Sequence, residues 1–271
     1  MIQIENLEKY YQKKKVLHDI NLQFEKGITG ILGPNGAGKT TLFRCIIGTE
    51  KYNGKILVSG KGKIGYLPQD FDCFHELTVS EAMDYLALMK DADLSENEEL
   101  LERVELLSEK NIKVKKLSGG MKRRLGVAQS MIGKPEMIIM DEPTAGLDPE
   151  SRLQVRNIIS GIGADAAILI SSHIASDLDA VADRLVFLKQ GKICYTGTKE
   201  QVLKRMEGKV HEVTMSREEY RQNTIPHTSV RWNGELATVR LVGDNLKFEN
   251  DTTVTPVLED AYFYFEGQRS V

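Results

Sequence analysis

The sequence predicts an α/β fold built on a mixed, largely parallel sheet. Three observations carry that expectation. Strand-like and helix-like segments alternate from Ile28 to Leu188. Met137 to Met140 and Ala166 to Ile170 are short unbroken apolar runs, the form a strand takes when both its faces are covered. A glycine-rich turn joins the apolar strand Ile28 to Leu32 to a segment of helical spacing that begins at Thr40.

Residues 1–32 read as strands, with Ile2, Ile4 and Leu7 roughly alternating, then Val16-Leu17, then a cleaner alternation from Ile20 to Phe24. The first strands form an N-terminal antiparallel β-subdomain. The helix from Thr40 stops at Gly48. Asn53 to Pro68 holds short strands broken by Gly54, Gly60, Gly62 and Gly65. Around Leu77 the texture turns helical. Thr78 with Glu81 three residues on is a capping-box pattern, and Ala82, Tyr85, Leu86 and Met89 follow at amphipathic spacing. The acidic stretch Ser95 to Glu109 reads as a second helix, and Ser118 opens a third that ends at Gly133 and Pro135. Pro149 occupies the first turn of a helix through Leu153, Val155, Ile158 and Ile159. Leu185 to Leu188, Gln190-Gly191 and Ile193 to Tyr195 read as a hairpin.

Residues 1–207 thus make one domain, with an inserted helical subdomain at about 73–135. Residues 208–271 make a small α+β C-terminal accessory domain. It ends in a Pro-initiated helix, Thr255-Pro256 to Phe265, whose Leu258, Ala261, Tyr262 and Phe265 form an apolar stripe. That stripe is expected to pack on its own small domain.

A chain of 271 residues is long enough for one full α/β domain plus such an appendix. The net charge of −3 gives no global positive field to draw in nucleic acid. The basic stretch Lys110 to Arg124 reads as a solvated face. Cys45, Cys73 and Cys194 are scattered and unpaired by spacing, as expected of reduced, buried thiols without a metal. No signal-peptide pattern opens the chain, and no apolar run approaches the roughly 18 residues a spanning helix needs. A cytoplasmic chain is expected; if it works at a membrane, another chain crosses it.

Gly33-Pro34-Asn35-Gly36-Ala37-Gly38-Lys39-Thr40 fits GxxxxGK[ST]. Glycines let the backbone wrap phosphate oxygens with its N–H groups inward, and the helix N-terminus adds a positive dipole end. Lys39 is placed to reach β- and γ-phosphates, and Thr40 to offer its hydroxyl to Mg²⁺, with Thr41 completing the loop. The run Met137 to Met140 ends in Asp141-Glu142. A buried strand delivers Asp141 to the sheet's C-terminal edge, where α/β sheets bind ligands. Asp141 is expected to hold Mg²⁺ through water, and Glu142, pointing elsewhere, to polarise the attacking water.

Leu117-Ser118-Gly119-Gly120-Met121-Lys122-Arg123-Arg124 resembles the signature motif of ATP-binding-cassette (ABC) proteins, upstream of the Asp141-Glu142 strand at that family's spacing. The resemblance covers about residues 1–200 and identifies the core as a P-loop NTPase of the ABC type, binding and hydrolysing ATP with Mg²⁺. Ser118 looks like a helix N-cap, and Gly119 and Gly120 permit close approach to a phosphate. In the family this helix end faces the γ-phosphate held by the opposite subunit. The resemblance also implies roles for Gln69, which contacts Mg²⁺ and the attacking water, for Asp148, which communicates across the dimer, and for His173, the switch histidine. An aromatic ring stacks on adenine, with Tyr11 the better match and Tyr10 its rival. Met121 stands where many members have Gln, and the Met-Lys-Arg-Arg variant resembles the bacterial drug, bacteriocin and lipid exporter branch.

The implied partners are a second nucleotide-binding subunit, in a homodimer or a heterodimer, and a separate multi-span membrane subunit, with no nucleic acid. The chain then sits peripherally on the inner face of the cell membrane. The stretch Phe71 to Leu77, taken as exposed, is where family members meet that subunit. The alternative is a soluble, non-transport ABC ATPase acting on ribosomes, DNA or cluster assembly.

Overall fold

A computed structural model describes residues 2–58, 63–72, 74–162, 166–222, 227–244, 246 and 251–267. Gly60, Gly62 and Cys73 lie outside the described residues. Strands β1 (Ile2–Tyr11) and β2 (Lys14–Phe24) form an antiparallel hairpin. The chain then enters the main sheet as β3 (Gly27–Leu32), runs through α1 (Lys39–Ile46), and returns as β4 (Asn53–Val58) to pair with β1. The resulting three-stranded sheet has the order β2-β1-β4. Its alternating residues Ile2, Ile4, Leu17, Ile20, Leu22 and Phe24 share a core with Leu42, Phe43 and Ile46 of α1. One face of the antiparallel sheet therefore holds α1, and with it the loop before α1, in place.

The next strand, β5 (Ile64–Leu67), forms one edge of the six-stranded main sheet. The helical subdomain follows with α2 (Val79–Met89), α3 (Asn97–Arg103) and α4 (Gly119–Met131). Then come β6 (Met137–Met140), α5 (Pro149–Ile162), β7 (Ala167–Ser172), α6 (Ala175–Asp179), and the hairpin β8 (Arg184–Lys189) and β9 (Lys192–Thr198). The strand order is β5-β6-β7-β3-β8-β9, parallel throughout except for β9. The Gln190-Gly191 turn has φ of 47 and 73, the left-handed pair that a tight hairpin needs.

Thr78 forms the expected capping box: its backbone N–H donates to the Glu81 carboxylate at 2.8 Å, and Glu81 N–H donates to its hydroxyl at 3.3 Å. The second helix is shorter than Ser95 to Glu109. Only Asn97–Arg103 is α-helical, with 3-10 turns at Leu94–Glu96 and Leu107–Glu109. Glu105 takes a φ of 56, a left-handed position that ends the helix and reverses the chain. The Phe71 to Leu77 stretch is also less open than its sequence suggests. Phe71, Phe74 and Leu77 are half-buried against the main core, and the exposed apolar residues are Tyr85, Leu88 and Met89 on α2, at 47%, 64% and 67% exposure.

Most of the charges between Lys110 and Arg124 have a carboxylate nearby. Lys110 meets Glu98 at 2.6 Å, Lys113 and Lys115 meet Glu76 at 3.2 and 2.7 Å, and Lys122 meets Asp72 at 3.5 Å. Cys45 is buried and Cys194 half-buried, both free, and burial pushes the Cys45 thiol up to about 11.

After β9, α7 (Lys199–Met206) starts on a second capping box, Thr198 with Gln201. A four-stranded antiparallel sheet follows, from β10 (Val210–Ser216), α8 (Arg217–Gln222), β11 (His227–Asn233), β12 (Leu236–Val242) and β13 (Asp251–Thr253), in the order β11-β12-β10-β13. The last helix, α9 (Leu258–Gly267), begins two residues after Pro256. Asp260, fully buried, fixes that start by accepting the Val257 N–H at 2.8 Å and pairing with Arg240 at 2.7 Å. The stripe on α9 does not serve the small domain alone. Leu258, Ala261 and Phe265 belong to the main core with Leu178, Leu185, Phe187 and Val202, while Val213, Met215, Val239 and Leu241 form a separate small core. Phe265 stacks at 5.3 Å from Phe187 and 4.9 Å from Tyr195. The accessory domain is thus clamped to the sheet by its last helix.

Lys90, at the end of α2, donates to the Gln129 carbonyl of α4 at 2.5 Å, and Gln129 donates to the Tyr66 carbonyl of β5 at 2.7 Å. Among the described residues no carboxylate offsets the charge of Lys90, and burial lowers its pKa from 10.5 to about 8. Below pH 8 the folded chain bears a desolvated charge that the unfolded chain keeps in water. Between pH 8 and 10.5 the unfolded chain binds the extra proton, so stability gains with rising pH. In paired urea titrations, the difference in stability between Lys90→Met and the parent is therefore expected to change between pH 8 and 10.5, always in the parent's favour. A constant difference across that window would contradict the buried-charge assignment.

Candidate active site

Four neighbouring strands of the main sheet end nearly level. Leu67 pairs with Met140, Met140 with Ile170, and Leu32 with Ser172. The residues just past those ends are Gln69, Asp141-Glu142, His173 and the Gly33 loop. Parallel pairing thus gathers side chains from four distant stretches of sequence at one sheet edge.

The loop between β3 and α1 is shaped by its glycines. Gly36 and Gly38 have φ of 79 and 107. At Gly33 a Cβ would lie 2.2 Å from the Leu188 carbonyl oxygen, so only glycine fits. The loop walls a cleft of about 370 Å³ lined by Val16, Pro34 to Thr41, Gln69 and Glu142. Lys39 is buried at its rim. It donates to the carbonyls of Gly33 at 2.6 Å and Pro34 at 3.2 Å, and pairs with Glu142 Oε1 at 3.1 Å.

Asp141 is fully buried. The Ser171 hydroxyl donates to its Oδ1 at 2.5 Å and accepts the Glu142 N–H at 2.9 Å. Asp141 Oδ2 has no hydrogen-bond partner among the described residues. A buried carboxylate oxygen left this way is costly, and it fits a cation or a cation's water. Among the described residues no three His, Cys, Asp or Glu side chains converge as a cage. The donor set near the loop is therefore one carboxylate, the Thr40 hydroxyl and the Gln69 amide, hard oxygen ligands of the kind Mg²⁺ takes alongside phosphate.

Glu142 adopts a φ of 49, an uncommon position for a non-glycine residue and a mark of stored backbone strain. Its Oε1 meets Lys39 and its Oε2 lies 2.5 Å from His173 Nδ1. The turned backbone is what swings the carboxylate over the phosphate loop while Asp141 stays beneath it.

Other residues singled out in the sequence lie elsewhere. Ser118 is the N-cap of α4, its Oγ accepting the Met121 N–H at 3.1 Å. Leu117 is buried, and Met121 packs partly against the main core. None of Leu117, Ser118, Gly119, Gly120 and Met121 lines the cleft. The two signature glycines differ. A Cβ on Gly120 would fall 2.4 Å from Ser151 Oγ, whereas one on Gly119 would meet nothing within 4 Å. Asp148 caps α5, accepting N–H bonds from Glu150 at 3.1 Å and Ser151 at 3.0 Å, which hold its carboxyl below the usual range. Tyr11 donates to Glu50 at 3.0 Å under the Lys9 ammonium, and Tyr10 sits beneath Lys15. Neither tyrosine lines the cleft; Val16 does. Two contributors lay outside the sequence reading: Ser171, which ties both carboxylates together, and Arg123, which holds their backbone. A serine on a buried strand and one arginine of an Arg-Arg pair give no signal of that kind by themselves.

Residues 17–145 match the family described as ABC transporter. The chain is 34% identical over 225 residues to the linearmycin resistance ATP-binding protein of Bacillus subtilis, spanning 77% of this chain and 72% of that protein. It is 36% identical over 203 residues to the lantibiotic transport ATP-binding protein of Streptococcus pyogenes, spanning 71% and 89%. A solved ATP-binding subunit of an ABC transporter superposes with a TM-score of 0.67 at 25% identity, over 75% of this chain and 92% of that one.

The contrast between the two signature glycines is testable. Gly120→Ala is expected to lower unfolding stability by about 1–3 kcal/mol through overpacking on Ser151. Gly119→Ala is expected to leave stability within about 1 kcal/mol or raise it slightly, since alanine suits a helix better. Equal losses in thermal or urea melts would show that both glycines face the chain's own core.

Proposed function

The chain belongs to the ABC transporter ATP-binding family, and from that premise we propose how its site works, what completes it and what it drives. It is the ATP-hydrolysing subunit of an ABC transporter, an exporter by the character of its relatives. Those relatives are named for linearmycin resistance and lantibiotic transport. Among the described residues no helix is long and apolar enough to cross a membrane. The transported molecule's path therefore lies in a separate multi-span subunit, with this chain on its cytoplasmic face. Tyr85, Leu88 and Met89, exposed on α2 beside the Gln69 loop, are the surface that meets it.

One observation carries the mechanism. The phosphate cleft is complete on one side, with Lys39, Thr40, Gln69 and Glu142 around it, while the capped, open helix end at Ser118-Gly119 lies outside it. A second copy supplies that helix end, so ATP is held between two chains and its binding draws them together.

Loop N–H groups and the α1 N-terminus take the phosphate oxygens, and Lys39 exchanges the Gly33 and Pro34 carbonyls for them. Mg²⁺, when bound, neutralises phosphate charge, and Thr40, Gln69 and the unpartnered Asp141 Oδ2 are the groups that would hold it. Glu142 accepts a proton from water as the water oxygen bonds to the γ-phosphorus and the bond to ADP breaks. His173, on Oε2, fixes the carboxylate's orientation. Asp148, beside the Gly120–Ser151 contact, relays the partner's position to α5. Tyr11 or Tyr10 stacks on adenine.

Glu142→Gln keeps the side chain's size and is expected to bind ATP, hydrolyse it about a hundredfold or more slowly, and accumulate as a dimer on size exclusion. Turnover at the parent rate would remove Glu142 from the role. Lys39→Ala is expected to lose most ATP affinity in a filter assay. In solubilised membranes of the native host, a multi-span protein in stoichiometric amount is expected with the chain. Recovery in the soluble fraction without one would overturn the exporter assignment.

A further inference from the structure

We propose that Arg123 is the positioning residue that couples the signature helix to the two backbone segments bearing Gln69 and Glu142. The inference rests on the ATPase reading above. Arg123 lies in α4, one turn past the Ser118 cap, and is only 7% exposed. Its guanidinium makes five hydrogen bonds, and every acceptor is a backbone carbonyl. Nε donates to Pro143 at 2.7 Å. Nη1 donates to Pro68 at 3.0 Å and Gln69 at 2.8 Å. Nη2 donates to Asp141 at 2.9 Å and also to Glu142.

These carbonyls need a partner for a simple reason. The last rung of the β5–β6 ladder is Asp141 N–H to Leu67 O, at 2.9 Å. Beyond it the two strands separate; the carbonyls of Asp141, Glu142 and Pro143 turn into the buried region around the guanidinium, and those of Pro68 and Gln69 into its partly buried margin. One planar fork of donors satisfies both diverging chains at once, which an ammonium on a flexible stem does not match. Burial lowers the guanidinium's pKa, opposed by the nearby charges of Asp141, Asp70 and Glu142.

The arrangement has a mechanical consequence. The same helix carries Ser118 and Gly119 at its N-terminus, the groups read as meeting the partner's ATP. Next along the helix, Gly126 lets its backbone press on β5, where a Cβ would fall 2.6 Å from Leu67. A shift of α4 therefore pulls on the carbonyls of Gln69 and Glu142 through rigid bonds. The strained φ of Glu142 is maintained from both sides, by Ser171 at its N–H and by Arg123 at its carbonyl. Arg123 thus links arrival of the partner copy to the aim of the water-activating carboxylate.

The test is steady-state ATP hydrolysis and nucleotide affinity in Arg123→Ala and Arg123→Lys, with thermal melts as a folding check. The five hydrogen bonds of Arg123 all go to residues outside the 33–41 loop, so ATP affinity is expected to change less than about threefold, while kcat falls about a hundredfold in the alanine variant, the scale of a carboxylate misplaced by an ångström. Arg123→Lys is expected to recover only part of that loss, and added ethylguanidinium to raise kcat of the alanine variant. Unchanged kcat in both variants, or parallel losses of kcat and affinity that follow the melts without rescue, would overturn the proposal. So would failure of both variants to fold, which would make the bonds purely structural. If the parent chain itself hydrolyses no ATP, the ATPase reading fails instead, and the two failures are told apart by that control.

Discussion

Parallel pairing of β5, β6, β7 and β3 to a common height is the constraint from which the site follows. Parallel strands buried on both faces end where their ladder ends, and everything polar that the chain needs must come just past that line. The sequence places glycines, a glutamine, two carboxylates and a histidine there. Ending four strands together also leaves carbonyls and a carboxylate that are buried or partly buried and need partners. The structure answers each of these separately: Arg123 for the carbonyls of residues 68, 69 and 141–143, Ser171 for Asp141 Oδ1 and the Glu142 N–H. Asp141 Oδ2 has no donor among the described residues.

The surrounding elements serve the same edge from three directions. The antiparallel sheet packs its apolar face on α1 and so sets the height of the phosphate loop. The helical subdomain hangs from β5 and the turn after it by Arg123 and by the Gln129 bond to the Tyr66 carbonyl, while Lys90 ties α2 to that same glutamine. The accessory domain is fastened behind the loop: Phe265 lies against Phe187 and Tyr195, and Lys189 holds the Glu266 carbonyl. Tyr262 and Phe265 share a small void with Leu32 and Pro34, so the last helix backs directly onto the turn that precedes the loop.

Local chemistry was legible in the sequence, and long-range packing was not. Thr78 and Ser118 announced their helices because a cap is decided within four residues. Strands β6 and β7 were plain from their unbroken apolar runs. The acidic helix was drawn too long because helical composition continues through Glu105, whose left-handed backbone has no signal in residue type. The apolar stripe on α9 was visible, but not that it faces the main core, since the residues it meets lie some seventy positions earlier. Gly36, Gly38, Lys39, Glu142 and Gln69 are legible by motif and do share one cleft. The tyrosines were not brought to that cleft, and Arg123 could not be distinguished from Arg124, which reaches the carbonyls of Val104 and Glu105 instead.

The central claim is that one chain holds half of each site and a second copy completes it. Its most direct test is the specific ATPase activity of the purified chain at saturating ATP over a wide dilution series. A site shared between copies predicts specific activity that rises with protein concentration and then levels as dimers fill. Specific activity constant down to the most dilute sample, with the chain shown to be monomeric there, would mean that a single copy hydrolyses ATP unaided and would contradict the account.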